Sequence, residues 1–416
     1  MKQYILCPLG TYGDVNPFLR VGSYLAEKGY EVHVVTISEF RRAAESKGLQ
    51  FTEFTDGSLF KAGINNPKLW HPVRSFDILM RQLAIPAIRP LFECLTSSLA
   101  LDENSVIVMG SLAMGARMAA EKLNIPHVTF CLQPTVIRSV EAMPRLSGLP
   151  NLARAPKTIR KMAYQFIDLY TSLLTAGTIN KIRVDLGLNS RIHSLLTWWM
   201  TDHPVLGLFP DWFASRQSDW PGNLHLTDFP LTPLDDAGTL DPEITAFLEN
   251  GKKPLVFTFG TGVMDWGNKL DVIRQYCTRT GERAIVSGPS FYNTVNDPST
   301  DLFFCGYADF SRLLPQCCAI IHHGGIGTTS EALRAGIPQL IFPLAFDQPD
   351  NAERIKQLGV GDFLSPRSFS VTSLDTRLSN LLLSDQVKKK CSELSQKLTG
   401  SGVETIGQCL ESVAGQ

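Results

Sequence analysis

Short apolar runs alternate with stretches of helical period along most of this chain. "YILCPL" from Tyr4, "EVHVVTI" from Glu31, "LQFTEF" from Leu49, "SVIVMG" from Ser105 and "HVTFCL" from His127 are rich in β-branched and aromatic residues and bounded by turn formers, as buried strands are. Helical patterns lie between them, at about Asn16 to Lys28, Glu39 to Lys47 and Leu112 to Leu123. The rhythm restarts at Pro254 with "PLVFTFG", "ERAIVSG", "DLFFCG", "CAIIHHGG" and "PQLIFPL". Apolar strands interleaved with helices predict parallel sheets covered on both faces. The chain therefore reads as α/β, with two doubly wound parallel-sheet domains.

Between the two series, "FPDWFASRQSDWPGNLHLTDFPLTPLDDAG" has no sustained period and reads as a structured linker. This places the boundary near Phe213, giving domains 1–212 and 213–416, with the last helix free to cross back to the first. Two insertions interrupt the first half, at about Gly57 to Leu101 and Pro134 to Thr201. Ligand sites of doubly wound sheets lie beyond the carboxyl ends of the strands, where such insertions sit. Their apolar segments, "LWHPVRSFDILMRQLAIPAIRPLF" and "AYQFIDLYTSLLTAGTI", would suit an apolar acceptor.

A chain of 416 residues fits two domains of ordinary size, and 44% hydrophobic residues supply their cores. Lys and Arg number 39 against 40 Asp and Glu, for a formal charge of -1, so there is no cationic field for nucleic acid. The nine cysteines are odd in number and irregularly spaced; Cys7, Cys131 and Cys305 fall inside predicted strands, and Cys317 and Cys318 lack a second nearby pair for zinc. Free thiols in a reducing compartment follow. No apolar run approaches the roughly 18 residues of a spanning helix, so the expected location is cytoplasmic, with at most peripheral membrane contact.

The segment from His322 to Ile355, "HHGGIGTTSEALRAGIPQLIFPLAFDQPDNAERI", concentrates the chemistry. It leaves a buried strand, passes Gly324, Gly325 and Gly327, and opens a helix at about Thr328. Free backbone N–H groups and the positive helix end at such a junction attract a phosphate. No Gly-Lys-Ser/Thr follows, so this is not a P-loop. The first strand is followed by "GTYGDVNP", not GxGxxG, which argues against a dinucleotide oxidoreductase.

Four motifs together, "GTYGDVNPFLRVGSYL", "FTFGTG", "HHGGIGTTSEALRAGIP" and "PLAFDQPDNA", resemble those of the GT-B glycosyltransferases that use nucleotide-diphosphate sugars, in the inverting class. Within that class the GDVNP segment and the linker look most like sterol glucosyltransferases and bacterial rhamnolipid rhamnosyltransferases. The resemblance implies two Rossmann-like domains facing a cleft, the second binding the donor, and a metal-independent transfer of a hexose with no cofactor. It implies rhamnose or glucose from a dTDP- or UDP-sugar, passed to a hydroxyl of an apolar acceptor such as a hydroxy fatty acid lipid. A sterol or natural-product acceptor is the alternative.

Carried over residue by residue, the resemblance matches His323 to the histidine on the diphosphate, and Gly325, Gly327 and Thr328 to the phosphate cradle. It matches Glu331 to the ribose, Asp347 and Gln348 to the sugar hydroxyls, and Asn351 with less support. Gly260, Thr261 and Gly262 match a loop closing over the phosphates, Gly13 the N-terminal motif, and Tyr307 an aromatic stacked on the base. Two of these have local explanations too: Thr328 and Glu331 form an S/T-x-x-E capping box, and Tyr307 fits a core position. Adjacent His322 and His323 point to opposite faces of a strand, so His322 reads as packed and no metal pair forms.

Asp14 occupies a slot that in much of the family holds a histidine oriented by an aspartate after the fourth strand. That segment here, "VMGSLAMGARMAAE", contains no Asp. Asp14 is therefore expected to take the acceptor's proton itself, the competing role being an N-cap for a helix starting near Val15 or Asn16. A carboxylate of ordinary pKa, about 4, is a weak base, so burial is expected to raise it. A non-catalytic donor-binding partner protein and a nucleotide-sugar epimerase are the other classes on the same plan.

Overall fold

The computed structural model describes residues 2–58, 62–63, 66–71, 74–200, 202–232, 239–260, 266–297, 300–398 and 400–414. These fall into two compact units, one of Met1–Leu231 with Gly402–Gln416 and one of Thr232–Ser401.

In the first unit the described strands are β1 (Gln3–Cys7), β2 (Glu31–Thr36), β3 (Gln50–Glu53), β4 (Ser105–Gly110), β5 (His127–Cys131), β6 (Val205–Gly207) and β7 (Leu224–Leu226). They pair in parallel in the order β3-β2-β1-β4-β5-β6-β7. The second unit holds β8 (Leu255–Thr258), β9 (Ala284–Ser287), β10 (Leu302–Cys305), β11 (Ala319–His322), β12 (Gln339–Ile341) and β13 (Gly361–Phe363), in the order β10-β9-β8-β11-β12-β13. Both are doubly wound sheets whose strand order reverses beside the first strand, at β1/β4 and β8/β11. The side chains of β1 and β8 are almost entirely buried, which explains their unbroken apolar sequences.

The division falls at Leu231, not near Phe213 as the sequence predicts. The irregular stretch hides β7, whose pairing Val205↔Leu224 keeps it in the first sheet. The helix Gly402–Val413 also belongs to the first unit, packed on the helix Tyr12–Glu27. It can approach closely because it carries glycines: a Cβ at Gly402 would lie 1.9 Å from the carbonyl oxygen of Phe229, and one at Gly407 would lie 2.3 Å from the ring of Tyr24.

The first insertion turns its apolar side chains inward, with Leu69, Met80, Leu83, Ile88, Leu91 and Phe92 all buried. The second is dominated by the helix Lys157–Asp185, which turns much of its apolar sequence outward. Of the two apolar segments, the first is therefore used in packing and the second is largely exposed. All nine cysteines are free.

Candidate active site

Asp14 lies in the first turn of the helix Tyr12–Glu27, which starts earlier than predicted and contains Pro17 in its interior. Thr11 is the N-cap, so Asp14 is not the cap but its partner three residues on. The Thr11 backbone N–H and hydroxyl both donate to Asp14 Oδ2, at 2.8 and 3.1 Å. Gly10, with φ +149°, makes room for the carboxylate, since a Cβ there would lie 2.2 Å from Oδ2. A side chain at Gly13 would meet only Thr11 Oγ1, at 3.7 Å. Burial raises the Asp14 pKa above the ordinary carboxylate value, and the two Thr11 bonds oppose it only in part. The loop after β1 runs beside the loop after β4, because Cys7 pairs with Met109. A small pocket there is lined by Met109, Gly110, Met114, Arg117, Trp198 and Trp199.

In the second unit β11 ends at His322, and the helix Ile326–Ala335 begins after Gly325. His322 is fully buried: its Nε2 lies 2.9 Å from Gln339 Oε1, and its Nδ1 accepts from the Gly324 N–H at 3.2 Å. His323 points elsewhere, its ring perpendicular to that of His322. Two glycines wall it in. A Cβ at Gly260 would lie 2.7 Å from the imidazole, and one at Gly325 would lie 2.5 Å from Nε2. Burial holds His323 neutral, its pKa pushed down to about 4, and its buried Nδ1 has no partner among the described residues. The Gly325 cap has no side chain, so the first-turn N–H groups beside His323 are left for an outside acceptor. At Gly327 a Cβ would meet nothing within 4 Å. Thr261 and Gly262 lie outside the described residues.

The capping box predicted for Thr328 and Glu331 is absent, because the helix starts two residues before Thr328. Glu331 is instead buried in an ion pair with Arg334 at 2.5 Å, and Arg334 also donates to the Thr232 carbonyl. Asp347 is the N-cap residue of the helix Gln348–Gln357. Its Oδ2 accepts from Asn351 Nδ2 at 2.7 Å, and the same amide donates to the Gly324 carbonyl at 2.8 Å, tying this helix to the glycine turn. Gln348 is buried, and its Oε1 accepts the backbone N–H groups of Leu344 and Ala345 at 2.7 and 3.1 Å. Its carbonyl therefore serves the loop, and only its amide N–H groups are left for a polyol. That loop contains Phe346 in the left-handed region, at φ +57°.

Tyr307 is 64% exposed, not a core residue, and follows β10. Beside it Tyr292, 66% exposed, stands where a Cβ on Gly306 would lie 2.2 Å from its ring. No motif marks Tyr292 in the sequence, whereas the Gly10 that admits Asp14 opens the GTYGDVNP motif. Gly260, His323, Gly325, Thr328, Asp347 and Tyr307 thus all follow the carboxyl ends of the second sheet's strands, on one edge of that unit. Among the described residues no group of three or more His, Cys, Asp or Glu is placed to hold a metal ion.

Residues 4–141 match the model of the glycosyltransferase family 28 N-terminal domain, and residues 301–404 that of the erythromycin biosynthesis protein CIII-like C-terminal domain. The vancomycin aglycone glucosyltransferase of Amycolatopsis orientalis is 28% identical over 86% of this chain and 85% of its own. A sterol 3-beta-glucosyltransferase of Arabidopsis thaliana is 26% identical over 95% of this chain, which spans 63% of that protein's length. The solved structure of the kitacinnamycin glycosyltransferase shares the fold with a TM-score of 0.75 at 16% identity, over 100% of both chains. With its family 28 N-terminal domain, its CIII-like C-terminal domain and its two doubly wound sheets, the chain belongs to the GT-B glycosyltransferases.

Proposed function

We propose that the protein transfers a hexose, rhamnose or glucose, from a dTDP- or UDP-sugar to a hydroxyl of an apolar acceptor, with inversion and without a metal ion or cofactor. The observation that carries this reading is His323: a neutral imidazole walled by Gly260 and Gly325 at a helix N-terminus without a side-chain cap, its buried Nδ1 unpartnered among the described residues. Such a site suits the diphosphate of a nucleotide sugar. Asp347 and the Gln348 amide suit the sugar hydroxyls, while exposed Tyr307 and Tyr292 suit a nucleobase.

Asp14 then acts as general base. It takes the acceptor's hydroxyl proton as that oxygen bonds the anomeric carbon, and the bond from that carbon to the diphosphate oxygen breaks on the opposite face. The electron pair leaves with the diphosphate, whose charge the His323 N–H and the helix N-terminus stabilise. A raised pKa makes Asp14 a better base than an exposed carboxylate.

A hydroxy fatty acid lipid, as in rhamnolipid synthesis, is the acceptor we favour from the GDVNP segment. A sterol or natural-product aglycone taking glucose is the second reading, favoured by the names of the two relatives. Nine free cysteines support a cytoplasmic location. The test is a thermal-shift panel of UDP, dTDP and GDP followed by product analysis with hydroxy fatty acid, sterol and aglycone acceptors. UDP or dTDP at a hundred times its Kd is expected to stabilise by about 2.7 kcal/mol. Transfer only to hydrophilic acceptors, or donor binding without product, overturns the proposal.

A further inference from the structure

The helix Lys157–Asp185 is turned inside out. Its buried positions are Tyr164, Thr171, Thr175, Ile179 and Arg183, mostly polar. Hydrogen bonds tie that side down: Arg183 donates to both carboxylate oxygens of Glu121 and to the Ser190 carbonyl, at 2.8 to 2.9 Å. Asn180 exchanges two bonds with the backbone of Ile192, each of 2.9 Å. The rotation of the helix about its own axis is therefore fixed. Its opposite side carries Ile159, Met162, Phe166, Leu169, Tyr170 and Leu173, from 40% to 78% exposed. Spacings of three and four residues place them in one stripe, about 21 Å long at 1.5 Å per residue. An apolar stripe of this length on an outer surface marks a place where something apolar docks.

The charges around the stripe identify what docks. Arg154 and Lys161 are exposed at its N-terminal end, where Lys157 is paired with Glu141, and Lys181 is exposed beyond its other end. Asp168, the carboxylate within the stripe's span, is held in an ion pair with Arg138. A second copy meeting this face with its own would bring the same basic flank. An anionic bilayer offers both halves of the match, acyl chains for the stripe and phosphates for the lysines. No helix among the described residues is long and apolar enough to cross a membrane, so this one would lie along the surface.

We propose that the outward face of Lys157–Asp185 docks the protein onto an anionic lipid surface, with Phe166 and Leu173 entering the acyl boundary. This does not rest on the acceptor's identity. The test is flotation of the full chain with phosphatidylcholine vesicles containing or lacking phosphatidylglycerol. The wild type is expected to float with the anionic vesicles, at least tenfold less with neutral ones, and less as salt rises. Phe166→Ser/Leu173→Ser is expected to lose at least tenfold in the bound fraction while keeping its melting temperature, because both side chains already face water. Lys161→Glu is expected to weaken binding to the anionic vesicles alone. A wild type that stays unbound, or a double-serine variant that floats equally well, overturns the proposal. So does a wild-type dimer that the double variant renders monomeric, which would assign the face to a second copy. The readout involves no sugar transfer, so it fails or succeeds separately from the proposed function.

Discussion

The backbone N–H of Thr11 donates to Asp14 Oδ2 at 2.8 Å, and the N–H of Asp14 donates back to the Thr11 carbonyl at 2.9 Å. This reciprocal pair holds the carboxylate at the first turn, and an asparagine oxygen can accept the same two Thr11 donors. Asp14→Asn therefore separates structure from chemistry. Melting temperature and donor affinity are expected to stay near wild type, while turnover falls by roughly 10²–10⁴, the usual loss for a general base. A variant retaining more than about a tenth of wild-type turnover contradicts the assignment.

His323→Ala is expected to weaken nucleoside diphosphate binding by on the order of 1.5–3 kcal/mol, the contribution of a hydrogen bond to a charged group. Calorimetric titration with UDP and dTDP measures it, and unchanged affinity leaves the diphosphate to backbone groups alone.

Gly325→Ala tests the same site from the side. Gly325 has φ -62°, which alanine adopts freely, so any effect comes from contact with the imidazole 2.5 Å from the new Cβ. Donor affinity is expected to fall toward that of His323→Ala. Combining the two substitutions is expected to cost little more than either alone, a coupling that a double-mutant cycle reads directly.

Three histidines with depressed pKa values set a pH response. His322 is held near a pKa of about 3, and His127 and His323 near about 4, each chiefly by burial. Unfolded, each titrates near 6.5. Between those values the unfolded chain binds more protons, so stability rises with pH through that window and is lost as pH falls below about 6.5. The slope is at most about 1.4 kcal/mol per pH unit for each proton. Asp14 acts in the opposite sense: its raised pKa lowers stability as pH climbs from the unfolded value through the folded one, while activity is expected to rise as it ionises. Denaturant titrations from about pH 4 to 8 test the first effect, and the acid limb of kcat/KM, absent in Asp14→Asn, tests the second.

Glu331→Gln would leave the Arg334 guanidinium buried beside a neutral amide. Removing one partner of a buried pair costs about 3–5 kcal/mol, less here because Arg334 keeps the Thr232 carbonyl. A clear fall in melting temperature is expected, and an unchanged one contradicts the structural role of the pair.

The strands around both sites were legible because a strand buried on two faces has an unbroken apolar sequence. The opposite facing of His322 and His323 followed from strand alternation in the same way. What failed was whatever depends on long-range partners. Leu224–Leu226 joins the first sheet through β6, and nothing in its polar surroundings announces that. Thr328 and Glu331 have the spacing of a capping box, yet a glycine caps the helix earlier and Arg334 takes the carboxylate. The pattern of Lys157–Asp185 revealed an apolar face, but Glu121, Ser190 and Ile192 decided which face turns inward.

The return of Gly402–Val413 to the first unit makes that unit discontinuous in sequence, with the whole of Thr232–Ser401 inserted into it. A ribosome therefore delivers a complete second unit before the helix that seats Gly407 on Tyr24 exists. Vectorial folding, which usually finishes an N-terminal domain first, here leaves the unit that carries Asp14 open until the one that carries His323 has been made.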